Sequence, residues 1–252
     1  MATVPSAAVD AAVLRQARID MAVLLRAAAR HGFNEAIDNH FSLAFPGRDD
    51  LFLLNGYGPH WSEITPSDIL LIDLEGNVVD GDGEWETTAF MIHRGVHRAR
   101  PTARCVLHTH MPYATAISMT AEGLDTRASQ NAMYFHGKVV RADYGGLADA
   151  AEEGDRLGQS VAAGAAIVLL DNHGVLAIGQ DAADAWHKLY FLERACQTQL
   201  LADASGRTVI QVPEDVAAHT AAQWEREASL NAINLLAAER RLLERDSPGF
   251  LD

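Results

Sequence analysis

The chain has 252 residues, of which 48% are hydrophobic and 21% charged, a balance typical of a folded globular protein. Its net charge of −14 argues against nucleic acids and anionic membranes as partners, because phosphate groups attract clusters of Lys and Arg. The two cysteines lie in apolar segments, and we find neither a secretory signal nor an apolar run long enough to span a bilayer, so we expect a cytoplasmic protein.

Helices and strands are predicted to follow one another in an irregular order. A helical spacing of apolar residues predicts a first helix from Ala7 to His31, which Gly32 ends. Alternating or branched apolar runs between turn residues predict the strands, and longer periodic segments predict the other helices. In chain order these are strands His40–Ala44, Leu51–Leu54, Ile69–Leu74 and Val78–Val79, helix Thr87–Arg98, strand Ala103–His110, helix Pro112–Thr120, strand Lys138–Val140, helix Ala148–Ala162, strands Ala166–Leu170 and Gly174–Ile178, and helices Ala182–Ala204 and Glu214–Arg245.

The order of these elements predicts an α/β fold in a single domain. We find no internal repeat, no break in composition and no glycine-rich nucleotide-binding loop. Because the strands do not alternate regularly with helices, a mixed and largely antiparallel sheet flanked by helices fits best. The domain is expected to span residues 1–252, with 206–252 as a C-terminal helical extension.

Three histidines have the spacing of a metal site. His108 and His110 stand two apart on a predicted strand, so their side chains project from the same face. His173 follows a buried strand and precedes Gly174, which presents it at the end of the sheet. Three neutral imidazoles suit a divalent transition metal and leave one position open for water or substrate. The alternative is that they are ordinary core or surface histidines, as we expect for His93 and His97 on their helix.

Several motifs in a fixed order make the chain resemble the class II aldolase/adducin family. The resemblance covers roughly Val9 to Ser205. The motifs that carry it are Asp38–Ser42, Asn55 with Trp61–Pro66, Ile72–Val78, Ala99–Pro101, Val106–His110, Asp171–Gly174 and Leu192–Cys196.

The resemblance implies a three-layer α/β/α fold, a homotetramer, and a metal held by His108, His110 and His173. Zinc is the first expectation for that metal, with iron, manganese, nickel and cobalt as alternatives. In the aldolases of this family the metal stabilises an enediolate as a carbon–carbon bond breaks or forms, which is Lewis-acid stabilisation of developing negative charge.

One departure from the family pattern concerns the acidic residue that serves the aldolases in proton transfer. That residue stands nineteen positions before the first metal histidine, and here the position is Ala89. Glu86 lies just upstream and is our candidate for the role, although a carboxylate there also suits the start of a helix. The phosphate-binding loop is altered as well, with Asp38-Asn39 in place of a Gly-Asn pair, so a sugar phosphate is a poor fit.

Two polar and aromatic segments indicate a different substrate. The segment Tyr57–Glu63 contains His60, and the segment Gln130–Gly137 contains Tyr134 and His136. An aromatic-walled pocket fits an aryl or apolar-tailed carboxylic acid, although each of these side chains is equally compatible with a scaffold role. Our candidate catalytic residues are Glu86, His60, His136 and Tyr134, and our candidate substrate-binding residues are Asn39, Ser42, Thr65 and Asn131.

Three functions are compatible with these residues. The first is a metal-dependent carbon–carbon lyase, a decarboxylase or an aldolase, that acts on a hydroxy- or oxo-carboxylic acid through a metal-stabilised enolate. The second is a non-heme iron oxygenase of an aromatic hydroxy- or oxo-acid, and the third is a non-catalytic, adducin-like assembly module.

The charged segment Trp224–Asp252 is either a packing helix or a closure over the site of a neighbouring subunit.

Overall fold

The computed structural model describes residues 9–147 and 151–251. The predicted starts of two helices, at Ala7 and Ala148, lie outside the described residues. Two short elements were not predicted, the 3-10 turn Pro66–Asp68 and the helix Gln130–Met133. The helices are α1 (Ala11–His31), α2 (Thr87–Ala99), α3 (Pro112–Ser118), α4 (Gln130–Met133), α5 (Ala151–Val161), α6 (Ala182–Ala204) and α7 (Glu214–Asp246); the strands are β1 (His40–Ala44), β2 (Leu51–Asn55), β3 (Ile69–Asp73), β4 (Val78–Asp80), β5 (Cys105–Thr109), β6 (Val139–Ala142), β7 (Ile167–Leu170) and β8 (Gly174–Gly179).

The eight strands form one mixed sheet in the order β4-β3-β2-β1-β5-β8-β7-β6. Neighbouring strands are antiparallel except for β6 and β7, which run parallel. This confirms the predicted mixed, largely antiparallel sheet. The central pair, β1 and β5, sets His40 opposite His108 and Ser42 opposite Val106.

Helices cover both faces of the sheet, which gives the three layers. Because side chains alternate along a strand, neighbouring residues of β5 enter different cores. Leu107 packs in the cluster formed with α1 and α6, whereas Val106 packs in the cluster formed with α2 and α5. His40, Ser42 and His108 therefore share the face that α2 covers.

The C-terminal helix α7 lies against α1 as well as α6. An ion pair joins Arg30 to Asp246 at 2.5 Å, and the guanidinium of Arg26 lies 4.7 Å from the ring centre of Phe250. These contacts attach the predicted extension to the body of the fold. Although α6 and α7 are long, no helix within the described ranges is both long and apolar enough to cross a membrane.

Candidate metal centre

The three predicted histidines meet where β5 ends and β8 begins. His108 is on β5, His110 follows that strand, and His173 lies in the tight turn from β7 to β8. The turn depends on Asn172, whose φ of 57° is a left-handed conformation that asparagine tolerates better than most residues. One nitrogen of each imidazole lies within 4.8 Å of the others, so the structure brings this predicted set together.

Hydrogen bonds at Nδ1, the nitrogen turned away from the other ligands, orient two of these imidazoles towards a common centre. The Nδ1–H of His108 donates to the carbonyl oxygen of Val175 at 3.1 Å, and the Nδ1–H of His110 donates to Glu35 Oε2 at 2.7 Å. Both Nε2 atoms are then unprotonated acceptors, and they face each other at 3.1 Å. Two lone pairs at this separation repel each other unless a cation lies between them.

The geometry fits a divalent metal with nitrogen ligands. Zinc–nitrogen bonds of about 2.0–2.1 Å in a tetrahedral site place two ligand nitrogens about 3.3 Å apart, close to the observed separation. Glu35 supplies the carboxylate–histidine arrangement that raises the basicity of a ligand and holds its ring. The donor set and its hydrogen bonds therefore fit the metal that the sequence predicts.

Burial favours the neutral form of two of the ligand imidazoles, His108 and His173. Burial, together with a smaller contribution from the neighbouring His110, lowers the pKa of His173 to about 4. Burial also lowers the pKa of His108 well below its ordinary value, with His40, His173 and His110 adding to the effect. A neutral imidazole has a free lone pair, which is the form that binds a metal.

A cavity of about 320 Å³ opens onto the three histidines. Ala89 lines it, at the position where the aldolases of the resembled family have their acid, and Glu86 lies beside it. The Glu86 carboxylate caps α2, accepting from the backbone amides of Thr88 at 2.9 Å and Ala89 at 2.8 Å. Glu86 thus has the structural role of a helix cap while it lines the cavity.

Asn39 connects the cavity wall to the ligand set. Its Oδ1 accepts from the backbone amides of Glu35 at 3.1 Å and His110 at 3.3 Å. Its Nδ2 is buried with no hydrogen-bond partner among the described residues, and its backbone has a φ of 75°. Because buried donors normally have a hydrogen-bond partner, this amide is available to an oxygen of a bound molecule. Among the predicted substrate-binding residues, Asn39 is the one that lines this cavity.

Two predicted residues from the segment after β2 lie outside the cavity lining. His60 is hydrogen-bonded to Asn34 at 3.1 Å and to Ser62 at 2.7 Å. Thr65 caps the turn Pro66–Asp68, and its hydroxyl donates to Asp68 at 2.8 Å. Within this chain, both side chains are engaged in local scaffold contacts.

The segment around α4 also lies away from the three histidines. Tyr134 is buried, stacked on Trp224 with ring centres 4.9 Å apart, and Asn131 lies on α4. His136 lines a different and larger cavity of about 840 Å³, where it is hydrogen-bonded to Thr126 at 2.9 Å and to Glu214 at 2.8 Å. That cavity lacks the three-histidine set, so we assign the chemistry to the smaller one.

A buried chain of polar side chains, which was not predicted from the sequence, lies behind the ligands. His40 Nδ1 lies 2.8 Å from His93 Nε2, and Ser42 Oγ lies 2.5 Å from His93 Nδ1 and 2.8 Å from His97 Nε2. The His40 ring stacks on His108 with centres 4.6 Å apart. The signal in the sequence was a polar pair on one face of β1, His40 and Ser42, facing a histidine pair one turn apart on α2.

The buried His97 makes stability depend on pH. Burial lowers its pKa from 6.5 to about 4, although a hydrogen bond to Ala103 opposes the shift. In the unfolded chain the imidazole titrates near 6.5, so between these values the unfolded chain binds a proton that the folded chain does not. Stability from this group is complete above pH 6.5 and falls by up to about 3 kcal/mol as the pH drops towards 4.

His97→Gln tests this prediction. Urea unfolding of chelator-treated protein, measured across this pH window, is expected to show a smaller loss of stability for His97→Gln than for the unchanged protein. The same substitution at His219, which is exposed on α7, is the control and is expected to retain the full loss. An unchanged pH dependence in His97→Gln would contradict the prediction.

Comparison with known proteins shows a family match over most of the chain. The profile described as the Class II Aldolase and Adducin N-terminal domain matches residues 19–200. A protein of Caulobacter vibrioides, whose name places it provisionally in aldolase class 2, is 38% identical over 94% of this chain and 92% of its own. An aldolase II superfamily protein from Pseudomonas syringae has a crystal structure with a TM-score of 0.89 and 30% identity, covering 96% of this chain and 98% of its own.

Relatives with named activities differ in their chemistry. Decarboxylase NovR of Streptomyces niveus is 35% identical over 80% of this chain and 75% of its own. A protein of Streptomyces roseochromogenus, named as 4-hydroxy-3-prenylphenylpyruvate oxygenase/4-hydroxy-3-prenylbenzoate synthase, is 36% identical over 80% of this chain and 73% of its own.

Proposed function

The chain belongs to the class II aldolase and adducin family, and from this premise we propose that it is a metal-dependent carbon–carbon lyase. Its substrate in this proposal is a hydroxy- or oxo-carboxylic acid, and its reaction is a decarboxylation or an aldol cleavage. The observation that carries the proposal is the convergence of three imidazoles on one cavity. We further propose zinc as the metal, with iron, manganese, nickel and cobalt as alternatives.

The role of the metal follows from the donor set. A divalent cation held by His108, His110 and His173 would act as a Lewis acid towards a carboxylate or carbonyl oxygen of the substrate. Glu35 holds the His110 ring through its Nδ1–H, and Val175 holds the His108 ring in the same way. The protein thus contributes a preformed set of lone pairs, so that little reorganisation accompanies binding.

The lining of the cavity supports a small carboxylic acid over a sugar phosphate. Among its described lining residues none is Lys or Arg, whereas Asp38 and Glu86 are acidic. A phosphate dianion there would meet no side-chain cation, but a single carboxylate is matched by the metal and by the free amide of Asn39. Tyr57 and Leu147, which are 49% and 74% exposed, form an apolar rim suited to an aromatic or aliphatic tail.

Ala89 makes decarboxylation the favoured form of the lyase reaction. Aldol cleavage requires a base that removes the hydroxyl proton as the carbon–carbon bond breaks. Decarboxylation of an oxo-acid needs no base for this step, because carbon dioxide leaves while the bonding electrons move towards the adjacent carbonyl group. A proton is needed only afterwards, at the carbon that lost the carboxylate. Of our candidate catalytic residues, Glu86 is the one that lines the cavity, and it is our proposed source of that proton.

The test is an assay for metal-dependent cleavage. Chelator-treated protein is reloaded with each candidate metal and incubated without oxygen with 3-oxo acids, with and without a 2-hydroxyl group, and with 3-hydroxy acids, all with aromatic or aliphatic tails. We expect release of carbon dioxide or of an aldehyde that depends on the metal and is lost in His173→Ala. The lyase proposal fails if fully loaded protein cleaves none of these acids without oxygen but consumes oxygen with one of them when the assay is repeated in air.

The second candidate is an iron-dependent oxygenase. The similarity to the named prenylphenylpyruvate oxygenase favours it, and three histidines also suit Fe(II) with positions left for substrate and oxygen. Strict dependence on Fe(II) and oxygen in the same assay would establish it. A protein that binds none of the metals would instead support the adducin-like assembly role.

The oligomeric state and compartment belong to the same proposal. We propose a homotetramer in the cytoplasm, with the exposed side of α7 against a neighbouring subunit. Leu230 and Ile233 are exposed on α7 and suit a subunit contact, while Cys105 and Cys196 are buried free thiols, as expected in a reducing compartment.

A further inference from the structure

The hydrogen bonds of the buried chain His40–His93–Ser42–His97 determine which nitrogen of His40 carries a proton. Each neutral imidazole has one N–H donor and one acceptor nitrogen, and the serine hydroxyl donates once. Burial favours the neutral form of all three imidazoles, as the lowered pKa of His97 illustrates. Once donor and acceptor are known at one end of the chain, the direction of every other hydrogen bond follows.

That end is the carbonyl oxygen of Ala103, which can only accept. It lies 2.9 Å from His97 Nδ1, so this nitrogen carries the proton and His97 Nε2 is an acceptor. Ser42 therefore donates its hydroxyl proton to His97 Nε2 across 2.8 Å. Its oxygen then accepts from His93 Nδ1–H, the third bond of the chain, at 2.5 Å.

The same rule gives the direction of the hydrogen bond between His93 and His40. Because His93 Nδ1 holds the proton, His93 Nε2 is an acceptor, and it receives the Nδ1–H of His40 across 2.8 Å. His40 Nε2 is thus left without a proton. His40 lines the metal-centre cavity, and since its Nδ1 is turned to His93, Nε2 is the nitrogen that remains for the cavity.

Reversing the direction of every hydrogen bond in the chain gives poorer contacts. It would let His93 Nε2–H donate to the backbone oxygen of His40, a longer contact of 3.2 Å. It would also leave His97 Nδ1 unprotonated against the Ala103 carbonyl at 2.9 Å, a buried nitrogen with no donor. Since buried polar atoms without a partner are costly, the first direction is favoured.

We propose that His40 is a substrate-binding residue whose Nε2 accepts a hydrogen bond from a hydroxyl group of the acid bound at the metal centre. Ser42, His93 and His97 are positioning residues, because they hold His40 in the tautomer that accepts. The inference rests on the proposed function for the identity of the ligand as a carboxylic acid. It narrows the substrate class to oxo-acids that also carry a free hydroxyl on the carbon next to the carboxylate, such as 2-hydroxy-3-oxo acids.

The position of His40 supports this role. Its ring is stacked on that of His108 at an angle of 29°, with centres 4.6 Å apart, and it lies opposite His108 on the neighbouring strand. A hydroxyl on the carbon next to a bound carboxylate is thereby placed between the metal centre and an acceptor. Acids that lack this hydroxyl would leave the acceptor unpaired, which disfavours them.

Nitrogen-15 NMR of histidine-labelled protein tests the tautomer without any substitution. We expect the signal of an unprotonated Nε2 and a protonated Nδ1 for His40, and the reverse pattern in Ser42→Ala, where the chain of donors is interrupted. Ser42→Thr keeps the hydroxyl and is expected to restore the original pattern. A protonated Nε2 in the unchanged protein overturns the proposal, whether or not metal binds.

Ligand binding tests the role of that nitrogen separately from turnover. Calorimetry of zinc-loaded protein compares glycolate with methoxyacetate, which keeps the carboxylate and the oxygen on the α-carbon but has no hydroxyl proton to donate. We expect the preference for glycolate to fall about fivefold in His40→Phe, the effect of one net hydrogen bond. An equal preference in both proteins overturns the proposal. A preference that depends on His40 without cleavage of any acid would retain it and reject the lyase function instead.

Discussion

Replacing His108 by alanine is expected to weaken binding of divalent metal by more than about 100-fold and to abolish any metal-dependent activity. Substitutions around a ligand already reduce metal affinity by about 10–100-fold, and loss of a ligand removes a coordinate bond as well. His108 is the most enclosed of the three and receives its orientation from Val175. Its loss leaves two imidazoles, which hold a divalent ion far less firmly than three.

Two further variants define the size of this effect. Glu35→Gln removes the carboxylate behind His110 and keeps the side chain's shape, so we expect a loss of only about tenfold. His219→Ala changes an exposed histidine on α7 and is expected to leave the affinity unchanged. Titration with zinc against a competing chelator measures all three. Equal affinity in His108→Ala and the unchanged protein would contradict this assignment.

Gly95→Ala is expected to destabilise the fold by about 3 kcal/mol, a large effect for the addition of one methyl group. Gly95 is buried on α2, where a Cβ would lie 1.9 Å from the backbone oxygen of Gly154 on α5. The contact repeats one turn further on, since a Cβ on Gly158 would lie 2.3 Å from the Gly95 oxygen. The two backbones touch directly, so a side chain between them must force the helices apart.

Whether Gly95→Ala lowers or raises the stability of the fold distinguishes a steric clash from intrinsic helix propensity. Propensity alone predicts that alanine stabilises a helix by up to about 1 kcal/mol relative to glycine. Ala218→Gly, at an exposed position of α7, measures that preference where no neighbour interferes. Thermal unfolding is expected to show a melting temperature lowered by roughly 6–12 °C in Gly95→Ala. A melting temperature that stays the same or rises would show that the helices accommodate the methyl group.

Much of the fold was predictable because its strands alternate or are apolar throughout. The predicted bounds of β1 agree with the structure, and those of α6 do as well, since the signals there are local. The 3-10 turn Pro66–Asp68 and α4 were missed because elements of three or four residues depend on single caps. Thr65 and Ser129 provide those caps, and such residues also occur in ordinary loops.

The metal centre was predictable to the extent that it depends on strand geometry. The alternation along β5 is sufficient to place His108 and His110 on one face, and the turn at His173 presents the third ligand. The role of His40 was not predictable in this way, because it depends on β1 pairing with β5 in a particular register. His60 and His136 were chosen for their residue type in loops, and sequence alone does not say where a loop lies.

X-ray absorption spectroscopy of the zinc-loaded protein tests the central claim most directly. It reports the number and type of atoms bound to the metal, with no assumption about substrate or reaction. We predict one zinc per chain with three imidazole nitrogens at about 2.0–2.1 Å and a light atom in the remaining position. Zinc bound by sulfur or by carboxylate oxygens alone, or no zinc retained, would contradict a centre formed by His108, His110 and His173.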